Sequence, residues 1–222
     1  RSATLYTVPP ATRGPTMFRC RPHLAGVQLL GDEPDFALQN ARRALNLNPQ
    51  YFPASNILGL CYLDAQRLDD AERYFRQAVL ASPTFAKARH NLGNLLREQK
   101  NLDESELHLR EAVRLQPESA ETINSLALTL AAAKRDRDAE TCYRRALELQ
   151  PNYPKAWLNL GNLFSERDDL PAAEATLRRA LTIKPDYFEA WMSLGLLESR
   201  RRKTDDSIAC FRQALRLKTD SE

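Results

Sequence analysis

The chain has 222 residues, 43% of them hydrophobic and 27% charged, and its 32 basic against 29 acidic side chains leave a formal net charge of +3. No run approaches the ~18 consecutive apolar residues of a membrane-spanning helix, and four cysteines without a C-x-x-C pair exclude a disulfide scaffold and a zinc module. Near-balanced charge lacks the basic excess of a nucleic-acid-binding domain. Residues 1–17 come first and show no periodicity; Pro9, Pro10, Gly14 and Pro15 forbid a regular helix there, so a disordered leader is expected. It has no apolar region of signal-peptide length. The chain opens on Arg1, so a cleaved leader or an incomplete reading frame is expected upstream, with Met17 as an alternative start.

Beyond the leader the sequence repeats. Pro49, Pro83, Pro117, Pro151 and Pro185 are evenly spaced. Ala44, Ala78, Ala112, Ala146, Ala180 and Ala214 keep the same interval, as do the small residues Ala37, Ala71, Ser105, Ala139, Ala173 and Ser207. Gly59, Gly93, Gly161 and Gly195 form a fourth column, with Ala127 in its gap. One period shared by four columns, within the range of roughly 20–50 residues, signals a solenoid rather than one central core.

Each unit reads as two helices. In residues 52–85, Leu58, Cys61 and Tyr62 form an amphipathic stripe, and Gln66–Leu68 interrupts it. Asp69 with Glu72, and Asp103 with Glu106 one unit on, are expected to form capping boxes opening the second helix. That helix carries Ala71, Phe75, Ala78 and Val79 on one face, and Pro83 ends it. Gly and Ala mark close approach of two helix axes, while Trp157, Leu160, Phe164 and Leu177 fill the space between helices in a later unit. Five full units follow in order, 52–85, 86–119, 120–153, 154–187 and 188–221, after a degenerate one at about 18–51 whose first helix contains Pro22. The last unit departs at Glu198 and Thr219; Glu198, Arg200, Arg201, Arg202 and Lys203 either make it polar enough to cap the array or the chain is part of something longer.

These residues resemble the tetratricopeptide repeat (TPR) family, whose pattern runs W-x2-L-G-x2-Y, A, F, A, P. Residues 154–187 carry it as Trp157, Leu160, Gly161, Phe164, Ala173, Leu177, Ala180 and Pro185; residues 52–85 carry Leu58, Gly59, Tyr62, Ala71, Phe75, Ala78 and Pro83, with Ser55 in the Trp position. The resemblance covers 18–222 and implies an all-α fold, a right-handed α-solenoid of tandem helix-turn-helix units. It also implies that the first helix of each unit lines a concave surface where partners bind.

No catalytic constellation is legible, and no cofactor, metal or small-molecule substrate is expected. His23, His90 and His108 have no second ligand at the spacing of one helix face, and His108 is expected at the surface. Cys61, Cys142 and Cys210 lie beside core positions and read as small hydrophobes. Arg200 to Lys203 reads either as a phosphate or nucleic-acid patch or as a solvated turn, and Asp205 with Asp206 favours the turn.

On the positions that the resemblance places in the groove stand Asn56; Lys87, His90, Asn91, Asn94 and Arg97; Glu121 and Asn124; Lys155, Asn159 and Asn162; and Glu189 and Ser193. Asn is a poor helix residue, yet N-L-G-N recurs at 91–94 and 159–162. A carboxamide both donates and accepts, so a row of them can hold the backbone of an extended peptide; the alternative is that the scaffold itself satisfies them. TPR domains that clamp chaperone tails need basic residues that His90, Asn94, Ser125, Lys155 and Asn159 do not supply, so that ligand is not expected. The Asn-lined groove is similar to the TPR arm of O-linked N-acetylglucosamine transferases. A protein-interaction scaffold gripping an extended peptide is therefore expected, in the cytoplasm, with no nucleic-acid partner, no membrane span and self-association through terminal repeats as an option. The alternative is the substrate-recruiting arm of a larger enzyme such as an O-linked glycosyltransferase.

Overall fold

The computed structural model describes residues 34–219, which form helices joined by short turns, with no strand among the described residues. In chain order they are α1 (Pro34–Leu47), α2 (Phe52–Asp64), α3 (Leu68–Ala81), α4 (Ala86–Glu98), α5 (Leu102–Leu115), α6 (Ala120–Ala132), α7 (Asp136–Leu149), α8 (Pro154–Glu166), α9 (Leu170–Ile183), α10 (Phe188–Arg200) and α11 (Thr204–Thr219). The leader and the first helix expected for the degenerate unit lie outside the described residues; α1 falls where that unit's second helix is expected.

The helices pair in sequence, α2 with α3 through α10 with α11, and each pair stacks on the next. Helices α4, α6, α8 and α10 also touch in series, whereas no comparable contact joins α3, α5, α7, α9 and α11. The array therefore curves with the even-numbered helices inside. It is an all-α, right-handed solenoid whose core is a strip between the two helix layers.

The glycine column sets the spacing within each pair. A Cβ on Gly59 would lie 2.4 Å from Phe75 Cε1, on Gly93 2.6 Å from Leu109 Cγ, on Gly161 2.8 Å from Leu177 Cγ and on Gly195 2.6 Å from Phe211 Cε1. Each large side chain of the second helix thus rests on bare backbone of the first. The hydroxyls of Ser105 and Ser207 use the same proximity, donating to the Gly93 and Gly195 carbonyls at 2.7 and 2.9 Å.

The turn between paired helices recurs with the same period. Gln66, Lys100, Lys134, Asp168 and Arg202 all adopt positive φ, between 58° and 66°. Each closes a Schellman motif: the Gln66 and Arg67 amides, for instance, donate to the Leu63 and Tyr62 carbonyls at 3.0 and 2.9 Å. None of the five is a glycine, so the column carries no composition signal.

The expected capping boxes are not formed. Helices α3 and α5 start one residue before Asp69 and Asp103, with Arg67 and Asn101 as N-caps lacking a side-chain cap. The Schellman turn determines where the helix begins and leaves the acids inside the first turn, where they complement the helix dipole. Side-chain caps occur instead at Ser119, accepting from the Thr122 amide, and Asp169, accepting from the Ala172 amide.

The repeating prolines have a second role. All five carbonyls accept a side-chain hydrogen bond from the following helix pair: Pro49 from Gln77 at 3.2 Å, Pro83 from Arg89 at 2.7 Å, Pro117 from Arg145 at 3.0 Å, Pro151 from Trp157 at 2.9 Å and Pro185 from Trp191 at 2.8 Å. Where the inner helix offers no donor in reach, at Ser55 and Ile123, the outer helix supplies it.

Candidate functional site

The inner surface is built by α2, α4, α6, α8 and α10, and the ten residues singled out from sequence all lie on the first four of them. They divide into two layers. Asn56 and Asn124 are buried, at 4% and 1% exposure. Each accepts a hydrogen bond from a carboxamide on the next inner helix: Asn91 Nδ2 to Asn56 Oδ1 at 2.9 Å and Asn159 Nδ2 to Asn124 Oδ1 at 3.0 Å. The asparagine row is therefore two separate pairs, and Asn56 and Asn124 present almost no surface to a ligand. Asn91 and Asn159 are half-buried and held by these bonds, while Asn94 and Asn162 stand one turn further along the same helices, also half-buried.

His90 lines a recess between α4 and α6. Asn94 Nδ2 donates to its Nε2 at 2.9 Å, so the ring proton is on Nδ1, 3.1 Å from Thr122 Oγ1. Burial pushes the imidazole pKa down; Glu121 acts in the opposite sense, and Lys155 and Lys87 push it further down. Lys87, His90, Asn91, Glu121 and Thr122, with Phe85, line a recess of about 410 Å³. Lys87 and Lys155 are exposed, and Arg97 is half-buried with its Nε enclosed and without a hydrogen bond. The structure thus gathers Lys87, His90 and Asn91 in one recess and shows the Lys155 charge acting there; Asn159 and Asn162 continue the inner face on α8.

Other sequence candidates resolve differently. His108 is only 12% exposed as a side chain, not a surface residue, because it tucks beside Arg89 at 3.5 Å and Glu104 at 3.7 Å. The basic run is committed to carboxylates: Arg200 to Asp168 at 2.8 Å, Arg201 to Glu174, and Lys203 to Glu198 at 3.6 Å and Asp206 at 3.8 Å. Of the four, Arg202 alone makes no salt bridge to a carboxylate, which leaves a turn rather than a phosphate-binding patch. Glu198 is not part of a polar outer cap; it is 1% exposed and its two oxygens lack hydrogen bonds, with Arg178, Arg201 and Lys203 near it. Burial pushes the Cys142 and Cys210 thiols up, so neither is poised as a nucleophile. Among the described residues no cluster of three or more His, Cys, Asp or Glu is gathered that could hold a metal, and no helix is long and apolar enough to cross a membrane.

A ladder of clamps on the outer layer is not legible in the sequence. Glu72, Glu106, Glu140 and Glu174 each pair with the arginine four residues on and reach into the next pair's turn, to Gln99, Arg135, Arg167 and Arg201. The hydrogen bond from Arg201 holds the Glu174 carboxyl below the usual range. Such a signal is detectable only once the turn geometry shows that each acid meets the turn of the following unit.

Comparison with known proteins bears on the fold and the repeat family. The tetratricopeptide repeat profile matches residues 31–84, 58–120 and 124–188, and a second tetratricopeptide repeat profile matches 188–221. No curated protein sequence matches the chain. Among solved structures, PilF of Pseudomonas aeruginosa superposes with a TM-score of 0.68 at 20% identity, over 83% of this chain and 91% of that one. MamA does so at 0.62 and 21%, over 74% and 96%. YrrB, described as a TPR protein with an unusual peptide-binding site, gives 0.61 and 16%, over 82% and 94%. At these identities the superpositions establish the fold, and together with the profile matches they show that the chain belongs to the tetratricopeptide repeat family.

Proposed function

We propose that this chain is a non-catalytic interaction scaffold that holds an extended peptide segment of a partner protein along its inner groove. The observation that carries the reading is the set of half-buried carboxamides, Asn91, Asn94, Asn159 and Asn162, on α4 and α8, with His90 and Lys87 beside the first two. Asn91 and Asn159 are pre-oriented by their buried partners, so little rotamer freedom is lost when they bind a peptide backbone. Lys87, Lys155 and Arg97 supply charge around them. The peptide-binding site named in the YrrB description supports a peptide as the ligand. A cytoplasmic setting, where cysteines in separate helix pairs stay reduced, belongs to the same reading.

The test uses Asn94 and Asn162, which do not take part in the Asn–Asn bonds of the scaffold. Peptides enriched from a display library on the full chain lose binding about 10- to 100-fold to the Asn94→Ala/Asn162→Ala variant, from two lost hydrogen bonds of ~1 kcal/mol or more each. Far-ultraviolet circular dichroism stays unchanged. Binding that survives both substitutions refutes the groove as the site.

A further inference from the structure

The scaffold columns repeat from unit to unit with single substitutions, whereas the groove repeats every second unit. At the second residue of α4, α6, α8 and α10 stand Lys87, Glu121, Lys155 and Glu189, alternating in sign, whereas α2 carries Pro53 there; seven residues further on in these four stand Asn94, Leu128, Asn162 and Leu196. The Asn56–Asn91 and Asn124–Asn159 bonds are likewise two units apart. Packing asks for the same kind of residue in each pair, as the alanine column and the glycine column with Ala127 in its gap show. A doubled period on one face alone answers to something that lies on that face.

The four charges are exposed and stand on successive inner helices. Glu121, Lys155 and Lys87 all act on the one imidazole of His90, and Glu121 with Lys87 lines the recess beside it. Glu121 and Tyr187 both act on the Tyr153 hydroxyl, and Glu189 acts on that of Tyr187. None of the four makes a salt bridge to another, and Glu121 stands 3.9 Å from the Nε2 of the uncharged His90 ring. Charges of both signs are thus held in a fixed order along the inner helices and left open to solvent. We infer that the groove reads the order of charges along an extended segment of a partner protein, setting acidic, basic, acidic and basic side chains against Lys87, Glu121, Lys155 and Glu189. Adjacent packed helices are ~8–10 Å apart and an extended chain advances ~3.3 Å per residue, so the complementary charges recur about every third residue of the ligand. This inference rests on the groove being the peptide site.

Two fluorescein-labelled peptides of identical composition, EGSKGSEGSK and EGSEGSKGSK, each also made in reversed order, are titrated into the full chain by fluorescence anisotropy at low salt. The alternating order binds about tenfold more tightly in at least one chain direction, because two of the four pairings turn repulsive in the blocked order. The preference disappears at about 1 M salt, where screening reaches ~3 Å. The Glu121→Lys/Lys155→Glu variant, which keeps net charge and changes only exposed side chains, reorders the groove to two basic then two acidic positions and reverses the preference. Equal binding of both orders by the unaltered chain, or an unreversed preference in the variant, overturns the inference and leaves the groove as a peptide site. No binding of any of the four peptides overturns the inference and the peptide-groove reading together.

Discussion

Replacing Asn159 by Ala removes the amide that Asn124 Oδ1 accepts from at 3.0 Å, and Asn124 is only 1% exposed. Water has little access to the stranded oxygen, so the cost is the desolvation of an unpaired carbonyl, about 1–3 kcal/mol. Asn124→Leu acts from the other side. Asn159 is half-buried and can turn its amide to solvent, and α8 already carries Leu158 at the equivalent position, so this change costs under ~1 kcal/mol. The double variant Asn124→Leu/Asn159→Ala has no orphaned group and recovers at least ~1 kcal/mol relative to the sum of the singles. In a chain of this size ~1 kcal/mol corresponds to about 2–4 °C, so Asn159→Ala lowers the thermal midpoint by roughly 2–12 °C and the second substitution restores part of it. Circular dichroism melts of the four proteins measure this, and hydrogen exchange of α6 and α8 localises it. Strictly additive effects would show that the pair does not act as a unit, and the division of the groove into buried and ligand-facing asparagines would fall.

Four further outcomes follow from the scaffold. Gln66→Gly is neutral or stabilising by up to ~1 kcal/mol, because φ is 58°, whereas Gln66→Val costs ~1–2 kcal/mol; the urea midpoint falls for the Val variant and does not fall for the Gly variant. Gly59→Ala destabilises by about 1–3 kcal/mol despite Ala's better helix propensity, since its Cβ would lie 2.4 Å from Phe75 Cε1; an unchanged or raised melting temperature contradicts the close approach. Glu198→Leu stabilises by ~1 kcal/mol, replacing a carboxylate without hydrogen bonds by the residue type found at Leu96 and Leu130, and a lowered midpoint would show that its ion pairs outweigh burial. His90 and His108 both have lowered pKa values, so the unfolded chain takes up their protons first on acidification. Their contribution is fully present above about pH 6.5, the unfolded value, and is lost as pH falls from there towards their folded values. His90→Asn flattens the stability profile below that pH, and an unchanged profile shows that the ring is not buried neutral.

The period is legible because the residues that need a special geometry at the core, Gly59, Pro83 and Ala78 with their counterparts, are ones that few other types can replace. The turn column is not, since Gln66, Lys100, Lys134, Asp168 and Arg202 share a backbone conformation and no chemistry. That blind spot displaces the expected start of α3 and α5, and with it the capping boxes at Asp69 and Asp103. In the groove, periodicity identifies the face that Asn56, Asn91, Asn124 and Asn159 occupy. It does not show that two of the four turn inward, because the stagger of the series becomes meaningful only when neighbouring helices are placed side by side. The burial of His108 escapes the sequence for a related reason: its cover, Arg89 and Glu104, comes from α4 and an earlier turn of α5.

Each proline carbonyl is satisfied by the pair that follows it, so a helix pair carries the donor for whatever precedes it. The asparagine bonds obey a different rule, joining α2 to α4 and α6 to α8 but not α4 to α6. A longer array assembled by duplicating a single unit would keep its joints and orphan an asparagine; one assembled by duplicating 120–187 would keep both. The natural brick of this solenoid, for growth by gene duplication or for engineering a longer groove, is the double repeat.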